Sequence, residues 1–541
     1  MIRAMASTFS LVDDTVSPPR VTVPREYNAA FDFIDRHVVE GRGARVAVID
    51  DLGSTTYAEL AARTSRAANA LRALGVRSED RVMMCMLDTV DFPTVFFGAM
   101  KCGAVAVPVN TLLMTGDYAF MLRDSRARVV VVSDALYAKL APAIAASPHV
   151  EHVLIASSSI GGEDGGKPRL DALLEAASPE CDAASTTSDD VAFWLYSSGS
   201  TGTPKGAIHL HADLVWTAAL YGRGVLGIHE DDVVFSAAKL FFAYGLGNAM
   251  TFPFHVGGAA VLLAERPTHA AVMRVMRAHR PTIFGGVPTL YASILADDAN
   301  RRETGSPALR ASISAGEALP KHLGEKWRER FGTDILDGIG STEMLHIFVS
   351  NRPGDVRYGT TGKPVPGYDV KLVGEDGALA KDGEEGALWV RGPSSAVAYF
   401  NQRQKSLETF HGPWTRTGDT YVRDADGYYT YAGRDDDMLK VGGIWVSPFE
   451  VESALAAHAD VLEAAVVGQP DADGLVKPTA FVVLMEGRAA EGNDARDAIV
   501  FELKAFVKER LAPYKYPRWN EIVRELPKTA TGKIQRFKLR G

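Results

Sequence analysis

The chain has 541 residues, of which 46% are hydrophobic and 23% are charged. A single hydrophobic core stops growing beyond about 250–300 residues, so this length predicts more than one domain. The composition is that of an ordinary globular chain and excludes a largely disordered protein. A net charge of −9 at pH 7 repels phosphate backbones and therefore argues against a nucleic-acid partner.

Signals for export or membrane insertion are missing from the sequence. The N-terminus has no basic stretch followed by an apolar core, so no signal peptide is expected. Residues 240–264 are apolar, but they include Asn248, Pro253 and several glycines, which predicts a buried core segment and no membrane span. The three cysteines form no Cys-x-x-Cys pair, which predicts neither a disulfide framework nor a structural zinc site. These features favour a cytoplasmic protein with no membrane partner.

Strand-like and helix-like segments alternate through the first third of the chain. Apolar and β-branched runs predict strands over 45–50, 81–87 and 129–132. A helix is expected to start at Thr56, which can form a capping box with Glu59. Another is expected over 92–102, where Gly103 ends it. This alternation predicts a layered, mostly parallel α/β sheet.

The pattern changes twice towards the C-terminus. From residue 364, short strands alternate with Asp-Gly turns, which predicts a small antiparallel β unit. A self-contained pattern of about 100 residues, a common domain size, follows the acidic run at 435–437. It contains a helix start at Ser447, with Pro448 next in the chain. We therefore expect a large domain over 1–435 and a smaller α+β domain over 436–541.

A loop rich in glycine and hydroxyl side chains follows an apolar strand predicted over 191–195. It reads Tyr-Ser-Ser-Gly-Ser-Thr-Gly-Thr-Pro-Lys-Gly at 196–206. Its N–H groups and hydroxyls can surround phosphate oxygens, and Lys205 adds a positive charge. Pro204 stands where a Walker A loop has Gly, so the loop is of another type. Such clusters are often simple surface turns, but eleven residues in this order after a strand favour phosphate binding.

Four further segments follow this loop along the chain. They are Asp-Gly-Ile-Gly-Ser-Thr-Glu at 337–343, Thr-Gly-Asp at 417–419, Gly-Arg-Asp-Asp-Asp at 433–437 and Pro-Lys-Thr-Ala-Thr-Gly-Lys at 527–533. Together the five motifs resemble those of the adenylate-forming superfamily, which contains acyl-CoA synthetases, peptide-synthetase adenylation domains and luciferases. The resemblance covers essentially the whole chain. It implies ATP-dependent conversion of a carboxylate to an acyl-AMP, by an enzyme whose smaller C-terminal domain is mobile.

The resemblance also implies a site for ATP and Mg²⁺. Glu343 offers a hard oxygen ligand for Mg²⁺, and Thr342 can donate to the α-phosphate. Asp419 and Arg434 would hold the ribose. At position 339 the family more often has Tyr, which stacks on adenine. Ile339 would pack apolarly instead. The implied ATP-binding residues are Ser197, Ser198, Gly199, Ser200, Thr201, Gly202, Lys205, Gly316, Glu317, Asp337, Ile339, Asp419 and Arg434.

Three roles fall in the C-terminal part of the chain. The resemblance makes Lys533 a catalytic residue together with Glu343 and Thr342, because a cation aimed at the transferring phosphoryl group stabilises a transition state in which two anions meet. It places a hinge at Asp436, about which the domain turns between adenylating and thioester-forming arrangements. The segment that meets coenzyme A would contain Lys440, Gly442 and Gly443. Lys533 is also a candidate for regulatory acetylation.

The acyl pocket of the family corresponds to segments around Phe242 and His346. Amino-acid-activating relatives carry an Asp there, and this sequence has none, which disfavours an amino-acid substrate. Aromatic residues beside Gly and Ala predict a short apolar slot for an aromatic ring, although such residues also serve in ordinary core packing. The expected acid-binding residues are Phe242, Ala243, Tyr244, Gly245, Ala315, Gly340, His346 and Ile347. These segments look most like those of benzoate–CoA ligases and their hydroxybenzoate and aminobenzoate relatives.

The predicted reaction is therefore the ATP-dependent conversion of an aryl carboxylate to its CoA thioester, with release of AMP and pyrophosphate. Three alternatives stay open: a ligase for another small or medium carboxylate or for a carrier-protein thiol, an oxygenase, and a non-catalytic binding protein. His209 and His211 have no further ligands at metal-binding spacing. His211 resembles a family histidine near the mouth of the acyl pocket. A homodimer is compatible with the sequence.

Overall fold

A six-stranded sheet forms the first layer of the fold. The structure is a computed structural model that describes residues 9–198, 204–434, 439–441, 444–470, 476–485, 487–488, 493–511, 515–528 and 534–540. Five strands of this sheet are parallel, and the sixth is antiparallel at one edge. In sheet order, the strands are Pro204–Leu210, Val191–Ser198, Val105–Pro108, Arg81–Cys85, Val129–Ser133 and His152–Ala156.

The second layer is a nine-stranded sheet with a parallel centre. Six neighbouring strands run parallel, and the remaining strands at both edges pair antiparallel. In sheet order, the strands are Lys363–Pro364, Ile347–Ser350, Ile335–Gly340, Ala311–Ser314, Ile283–Gly286, Val233–Ser236, Ala259–Val261, Val46–Asp50 and Gly53–Thr56. Parallel strands of this kind must be covered on both faces, which explains their continuous apolar runs.

The remaining sheets are smaller, and those after residue 364 are mainly antiparallel. A five-stranded antiparallel sheet contains Asp369–Val373, Glu385–Arg391, Phe410–His411, Trp414–Arg423 and Tyr429–Arg434. The C-terminal part has a hairpin, Leu439–Val441 with Ile444–Val446, and a three-stranded sheet of Val461–Pro470, Val476–Leu484 and Trp519–Ile522. Near the N-terminus, Leu11–Asp13 pairs with Arg20–Thr22. The predicted antiparallel unit after residue 364 is confirmed.

Helices cover the faces of these sheets. The α-helices are Arg36–Val39, Tyr57–Ala73, Asp91–Lys101, Thr115–Ser125, Asp134–Ala145, Leu170–Ala176, His211–Thr217, Ala243–Leu246, Phe252–Val256, His269–His279, Pro288–Leu295, Lys321–Phe331, Arg403–Thr409, Pro448–Ala456 and Asn493–Lys508. Wider π-helical turns span Phe31–Asp35, Ala218–Arg223 and Gly247–Thr251, and a 3₁₀ turn spans Arg536–Leu539. Within the described ranges, no helix combines the length and the hydropathy that a bilayer crossing requires.

The helix Asp91–Lys101 lies at the centre of the main core, and every one of its residues is buried. Gly98 lets it approach a neighbouring helix, because a Cβ there would lie only 2.6 Å from the Cβ of Ala67. Its last residue, Lys101, is 1% exposed and donates to Asp35 at 2.7 Å and Ser65 at 2.9 Å. A buried cation is tolerated only when it is paired and hydrogen-bonded in this way.

Most local predictions are confirmed to within a residue or two, and one is wrong. Thr56 and Glu59 form the predicted capping box, and Ser447 caps the helix at 448–456 by accepting from the Glu450 N–H. The strand expected over 191–195 continues to Ser198 and pairs with Pro204–Leu210, so residues 196–198 and 204–206 belong to paired strands and not to the predicted loop. Proline is allowed at 204 because it begins an edge strand, where its missing N–H costs no ladder bond.

Thr56→Ala tests the capping box. Thr56 accepts from the Glu59 N–H, and its own N–H donates to Glu59 Oε2 at 2.7 Å. We expect the substitution to lower the free energy of local opening at the first turn of this helix by about 1 kcal/mol. Hydrogen exchange of residues 57–60 measures this directly, with Ser54→Ala, on the preceding strand, as the control. Unchanged exchange in Thr56→Ala would contradict the assignment.

Candidate active site

A tight turn at 341–345 follows the carboxyl end of a parallel strand, Ile335–Gly340. The chain returns as the antiparallel strand Ile347–Ser350, with a bulge between Ile339 and Gly340. Inside the turn, the Leu345 N–H donates to the Thr342 carbonyl at 3.2 Å, and Leu345 has a φ of +65°. Ligands of α/β proteins bind at the carboxyl ends of parallel strands, so this turn stands where a site is expected.

Three successive main-chain carbonyls of this turn accept hydrogen bonds from other parts of the chain. The Thr342 carbonyl lies 2.8 Å from His209 Nε2. The Glu343 carbonyl accepts from the Ala396 N–H at 2.7 Å, and the Met344 carbonyl accepts from Ser394 Oγ at 2.8 Å. These contacts fix the backbone from which the Thr342 and Glu343 side chains project.

The Glu343 carboxylate is held by two hydroxyl groups. Tyr399 donates to Oε1 at 2.7 Å, and Ser197 donates to the same oxygen at 3.3 Å. Burial, helped by the charge of Glu343, raises the pKa of Tyr399 far above its usual value, so the phenol keeps its proton for this bond. Among the described residues, none hydrogen-bonds to Oε2 of Glu343. A half-buried carboxylate with one oxygen fixed in place suits a hard cation such as Mg²⁺.

Lys205 belongs to the same group of side chains. It stands directly opposite Ser197 in the hairpin, and its Nζ lies 4.7 Å from the centre of the Tyr399 ring. Burial lowers the pKa of Lys205, and the Glu343 carboxylate opposes that shift. The hairpin thus brings a cation and a hydroxyl to the turn that carries Glu343.

Asp419 and Arg434 lie opposite each other on neighbouring antiparallel strands. Arg434 NH1 donates to Asp419 Oδ1 at 3.1 Å, and Asp419 is 9% exposed. The residue before it, Gly418, has a φ of +76°, and a Cβ there would lie 2.9 Å from Arg434 NH2. Glycine is therefore favoured at 418 by its left-handed backbone, and a side chain there would displace the Arg434 guanidinium.

The remaining residues assigned to ATP lie on or just after two adjacent parallel strands. Asp337 is 5% exposed, burial raises its pKa to about 8, and its Oδ1 has no hydrogen-bond partner among the described residues. Ile339 is partly buried against the main core. Gly316, which precedes Glu317, has a φ of +91° and open space where its Cβ would stand. The backbone after the strand Ala311–Ser314 can therefore approach a flat ligand closely.

An aromatic cluster surrounds the predicted acid-binding residues. The His346 ring lies 5.8 Å from Tyr244 in a stacked arrangement, 5.1 Å from Tyr221 and 4.5 Å from Phe252. Its Nε2 lies 3.3 Å from the Tyr244 carbonyl, which favours the tautomer with a proton on Nε2. Burial lowers the pKa of His346 to about 3, so the ring is neutral near pH 7.

The Tyr244 hydroxyl faces the second sheet. It lies 3.0 Å from the Gly286 carbonyl and 2.9 Å from the Ile313 carbonyl, which orients the ring. Burial raises the pKa of this phenol well above its usual value. Tyr244 can therefore offer an aromatic face, and its hydroxyl is already used.

Small residues keep the backbone close around this cluster. A Cβ at Gly340 would lie 2.5 Å from the His346 carbonyl oxygen, and one at Gly245 would lie 2.1 Å from the Lys239 carbonyl oxygen. Ala315 and Ile347 are buried, whereas Phe242 and Ala243 are partly exposed. Of the predicted acid-binding residues, the structure places Tyr244 and Gly340 directly against His346.

Several predicted site residues lie outside the described residues. They are Gly199, Ser200, Thr201, Gly202, Asp436, Gly442, Gly443 and Lys533, together with the side chains of Ser198 and Lys440. The flanks of two of these segments are described. Val441 pairs with Ile444, and Lys528 pairs with Ile534.

Three contact residues were not identified from the sequence. Tyr399, Ser394 and His209 all reach the turn from distant positions, and the sequence carries no local signal for the first two. His209 and Asp213 are four residues apart, a spacing that could have suggested a pair. His211, by contrast, accepts the Ala29 N–H at 3.1 Å, and burial lowers its pKa to about 4.

Comparisons with known proteins identify the family. Residues 35–400 match the model of the AMP-binding enzyme family, and residues 450–533 match that of the AMP-binding enzyme C-terminal domain. The chain is 58% identical to a benzoate–CoA ligase of Thauera aromatica over 98% of this chain and 99% of that protein. It is 50% identical to a 4-hydroxybenzoate–CoA/benzoate–CoA ligase of Rhodopseudomonas palustris, over 95% of this chain and 94% of that protein.

Solved structures agree with these matches. A crystal structure of a benzoate CoA ligase from Burkholderia xenovorans LB400 has a TM-score of 0.88 and 52% identity, and the match covers 95% of this chain and all of that one. The anthranilate CoA ligase AuaEII, solved with anthranoyl-AMP, has a TM-score of 0.90 and 42% identity over 96% of this chain and 97% of that one. With its fold, its motifs and these matches in agreement, this chain belongs to the AMP-binding enzyme family.

Proposed function

We propose that this protein is an AMP-forming ligase that converts benzoate, or a close ring-substituted analogue, to its CoA thioester through an acyl-AMP. One observation carries the proposal: the turn with Thr342 and Glu343 lies against an aromatic cluster around His346, in a chain 58% identical over nearly its full length to a benzoate–CoA ligase. A turn that holds phosphate and metal beside a slot that holds a ring is what aryl adenylation requires.

In the first half-reaction, the carboxylate attacks the α-phosphate of ATP, and pyrophosphate leaves. Thr342 donates to the α-phosphate, Lys205 and Ser197 contact the phosphate chain, and Asp419 accepts from the ribose hydroxyls with Arg434 beside it. Fixed donors aimed at developing charge stabilise the transition state more than the ground state. Lys533, brought in by the C-terminal domain, supplies the cation at the reacting phosphoryl group.

Glu343 would hold Mg²⁺ through its carboxylate, with Tyr399 and Ser197 fixing Oε1. When bound, Mg²⁺ neutralises charge on the phosphates and orients them. Asp419 and Asp337 lie elsewhere in this proposed site and serve the nucleoside.

The acid would lie with its ring against the aromatic cluster of Tyr244 and His346 and its carboxylate toward the turn. Both side chains are neutral near pH 7, so the slot favours an uncharged ring. At Gly340 and Gly245, any side chain would clash with a neighbouring main-chain carbonyl, so glycine keeps the backbone beside the slot close-packed. A short slot closed by Phe252 and Tyr221 rejects long alkyl chains.

In the second half-reaction, the thiol of coenzyme A displaces AMP. We propose that the domain over 436–541 turns about Asp436 relative to the domain over 1–435, which removes Lys533 and brings Lys440, Gly442 and Gly443 to the pantetheine chain. A homodimer, acetylation of Lys533 and a cytoplasmic location are further parts of this proposal.

A product assay tests the function. Purified protein with ATP, Mg²⁺, benzoate and CoA should form AMP and benzoyl-CoA, identified by mass spectrometry. The same mixture with a carrier protein or with oxygen in place of CoA tests the alternative outcomes. Absence of benzoate-dependent pyrophosphate release, with every aryl acid in a panel also inactive, would refute the proposal.

Asp419→Ala tests the nucleotide site. A hydrogen bond to a charged group is worth about 1.5–3 kcal/mol, so the KM for ATP should rise by about tenfold or more. Asp424→Ala is a matched control, because Asp424 also pairs with an arginine, Arg357, at 2.7 Å after the same strand. Equal KM values for ATP in the two folded variants would show that Asp419 has no ribose role.

Tyr244 variants test the aryl slot. Tyr244→Phe keeps the ring and should leave the preference for benzoate over naphthoate within about threefold, because the hydroxyl contacts only carbonyls of the sheet. Tyr244→Ala enlarges the slot and should shift the ratio of kcat/KM values by about tenfold towards naphthoate. Efficient turnover of palmitate by the wild type would contradict the closed slot.

Lys533→Ala and Asp436→Pro separate the half-reactions. Loss of one preorganised donor costs about 10²–10³-fold, so Lys533→Ala should lose adenylation to that extent and still convert synthetic benzoyl-AMP and CoA. Asp436→Pro, which fixes φ at the proposed hinge, should form the adenylate and be slow in thioester formation. Lys528→Ala, whose lysine pairs with Glu463 at 2.6 Å, is the control for charge removal. Equal loss of both half-reactions in both folded variants would contradict domain alternation.

A further inference from the structure

His209 joins the turn at 341–345 to a buried carboxylate. Its Nε2 lies 2.8 Å from the Thr342 carbonyl oxygen, and its Nδ1 lies 2.9 Å from Asp213 Oδ2. The His209 side chain is fully buried, and the Asp213 side chain is 3% exposed. Asp213 is itself held in place, because its Oδ2 accepts the Leu210 N–H at 3.0 Å.

The two contacts of the ring need two donated protons. A main-chain carbonyl can only accept a hydrogen bond, and so can an ionised carboxylate. A neutral imidazole has one N–H, so either both ring nitrogens carry a proton or the Asp213 carboxyl donates its own proton to Nδ1. In both arrangements Nε2 carries a proton and donates to the Thr342 carbonyl.

Two features of the surroundings hold the pair in place. The ring of Phe193 stacks on that of His209, with centres 5.2 Å apart and planes at 17°, which fixes the plane of the imidazole. The Leu210 N–H fixes Asp213 Oδ2, and burial raises the pKa of that carboxyl above its usual value.

We propose that His209, oriented by Asp213, is a positioning residue for adenylation, because its Nε2–H fixes the Thr342 carbonyl and so the side chains of Thr342 and Glu343. This inference rests on the proposed function of that turn and extends it to two residues that do not touch substrate. A shift of about 1 Å in a group that contacts the reacting phosphate can cost about a hundredfold in rate, so the hold on the backbone matters for chemistry more than for binding of the acid.

Three variants test the role of the Nε2–H. His209→Leu removes the donor, and His209→Gln places an amide N–H close to where Nε2–H lies. His37→Gln is the matched control, because His37 is also fully buried with its Nε2 on a main-chain carbonyl, that of Phe254, and contacts no residue of the proposed site.

Half-reaction kinetics give the first readout. We expect His209→Leu to lower kcat of benzoate-dependent ATP–pyrophosphate exchange by about tenfold or more, with the KM for benzoate changed less than about threefold. Thioester formation from synthetic benzoyl-AMP should be nearly unaffected, and His209→Gln should recover most of the lost exchange. A folded His209→Leu with wild-type exchange, or His209→Gln no better than His209→Leu, would overturn the inference. If His209→Leu does not fold, His209→Gln still decides, because it must retain exchange near the His37→Gln level.

A spectroscopic readout separates this inference from the proposed function. With ¹⁵N-labelled histidine, the resonances lost in His209→Gln identify the His209 ring, and its Nε2 should carry a proton. This holds whether or not the wild type acts on an aryl acid. An unprotonated Nε2 at His209 would overturn the inference, whereas a wild type that is inactive with every aryl acid would overturn the proposed function alone.

Discussion

Hydrogen bonds to three consecutive main-chain carbonyls of the turn at 341–345 are the constraint on which the rest of the site depends. The contacts come from His209 on the edge strand of the first sheet and from Ser394 and Ala396, which follow the strand Glu385–Arg391 of the antiparallel unit. They join segments that are 50 to 133 residues apart in the chain. Without these contacts, the side chains of Glu343 and Thr342 would project from an unsupported loop. Loop side chains rarely keep the geometry that phosphoryl transfer needs.

Charge is distributed unevenly around this turn. On the nucleotide side stand Lys205, Arg434 and two carboxylates, Glu343 and Asp419, which suits a polyphosphate with a metal ion and a sugar. On the acid side, burial keeps His346 neutral, and the Tyr244 phenol keeps its proton. The described residues of the slot therefore bring no cation to the substrate carboxylate. The proposal assigns that role to Lys533, which arrives only while the C-terminal domain is in its adenylating arrangement, and this links chemistry to domain position.

Local sequence signals predicted local structure well. Each predicted helix cap joins residues three apart, within one helical turn, so the local sequence is enough to specify it. The two caps are Thr56 with Glu59 and Ser447 with Glu450. The three predicted Asp-Gly turns have left-handed glycines at 377, 383 and 427. Among the motif residues, Asp419 lies opposite Arg434 across two strands, and Ser197 reaches Glu343 at 3.3 Å.

Long-range contacts could not be predicted in the same way. The pairing of Ser197 with Lys205 depends on which strand the segment 204–210 joins. The hydrogen bond from Tyr399 to Glu343 spans 56 residues, and no sequence periodicity indicates it. Histidines were judged by metal spacing, whereas His209 acts through one carboxylate and one carbonyl that meet only in the folded chain. Such contacts follow from the packing of the two sheets, which a local pattern does not determine.

The most direct test of this account is a crystal structure of the protein with ATP-derived benzoyl-adenylate or its non-hydrolysable sulfamoyl analogue. The account predicts that the group at the α-phosphate position lies within hydrogen-bond distance of Thr342, that the ribose hydroxyls reach Asp419, and that the ring contacts the cluster around His346. It also predicts that the Thr342 carbonyl keeps its contact with His209. An adenylate bound elsewhere, or a ring outside the cluster around His346, would contradict the central claim that one braced turn joins the nucleotide site to an aryl slot.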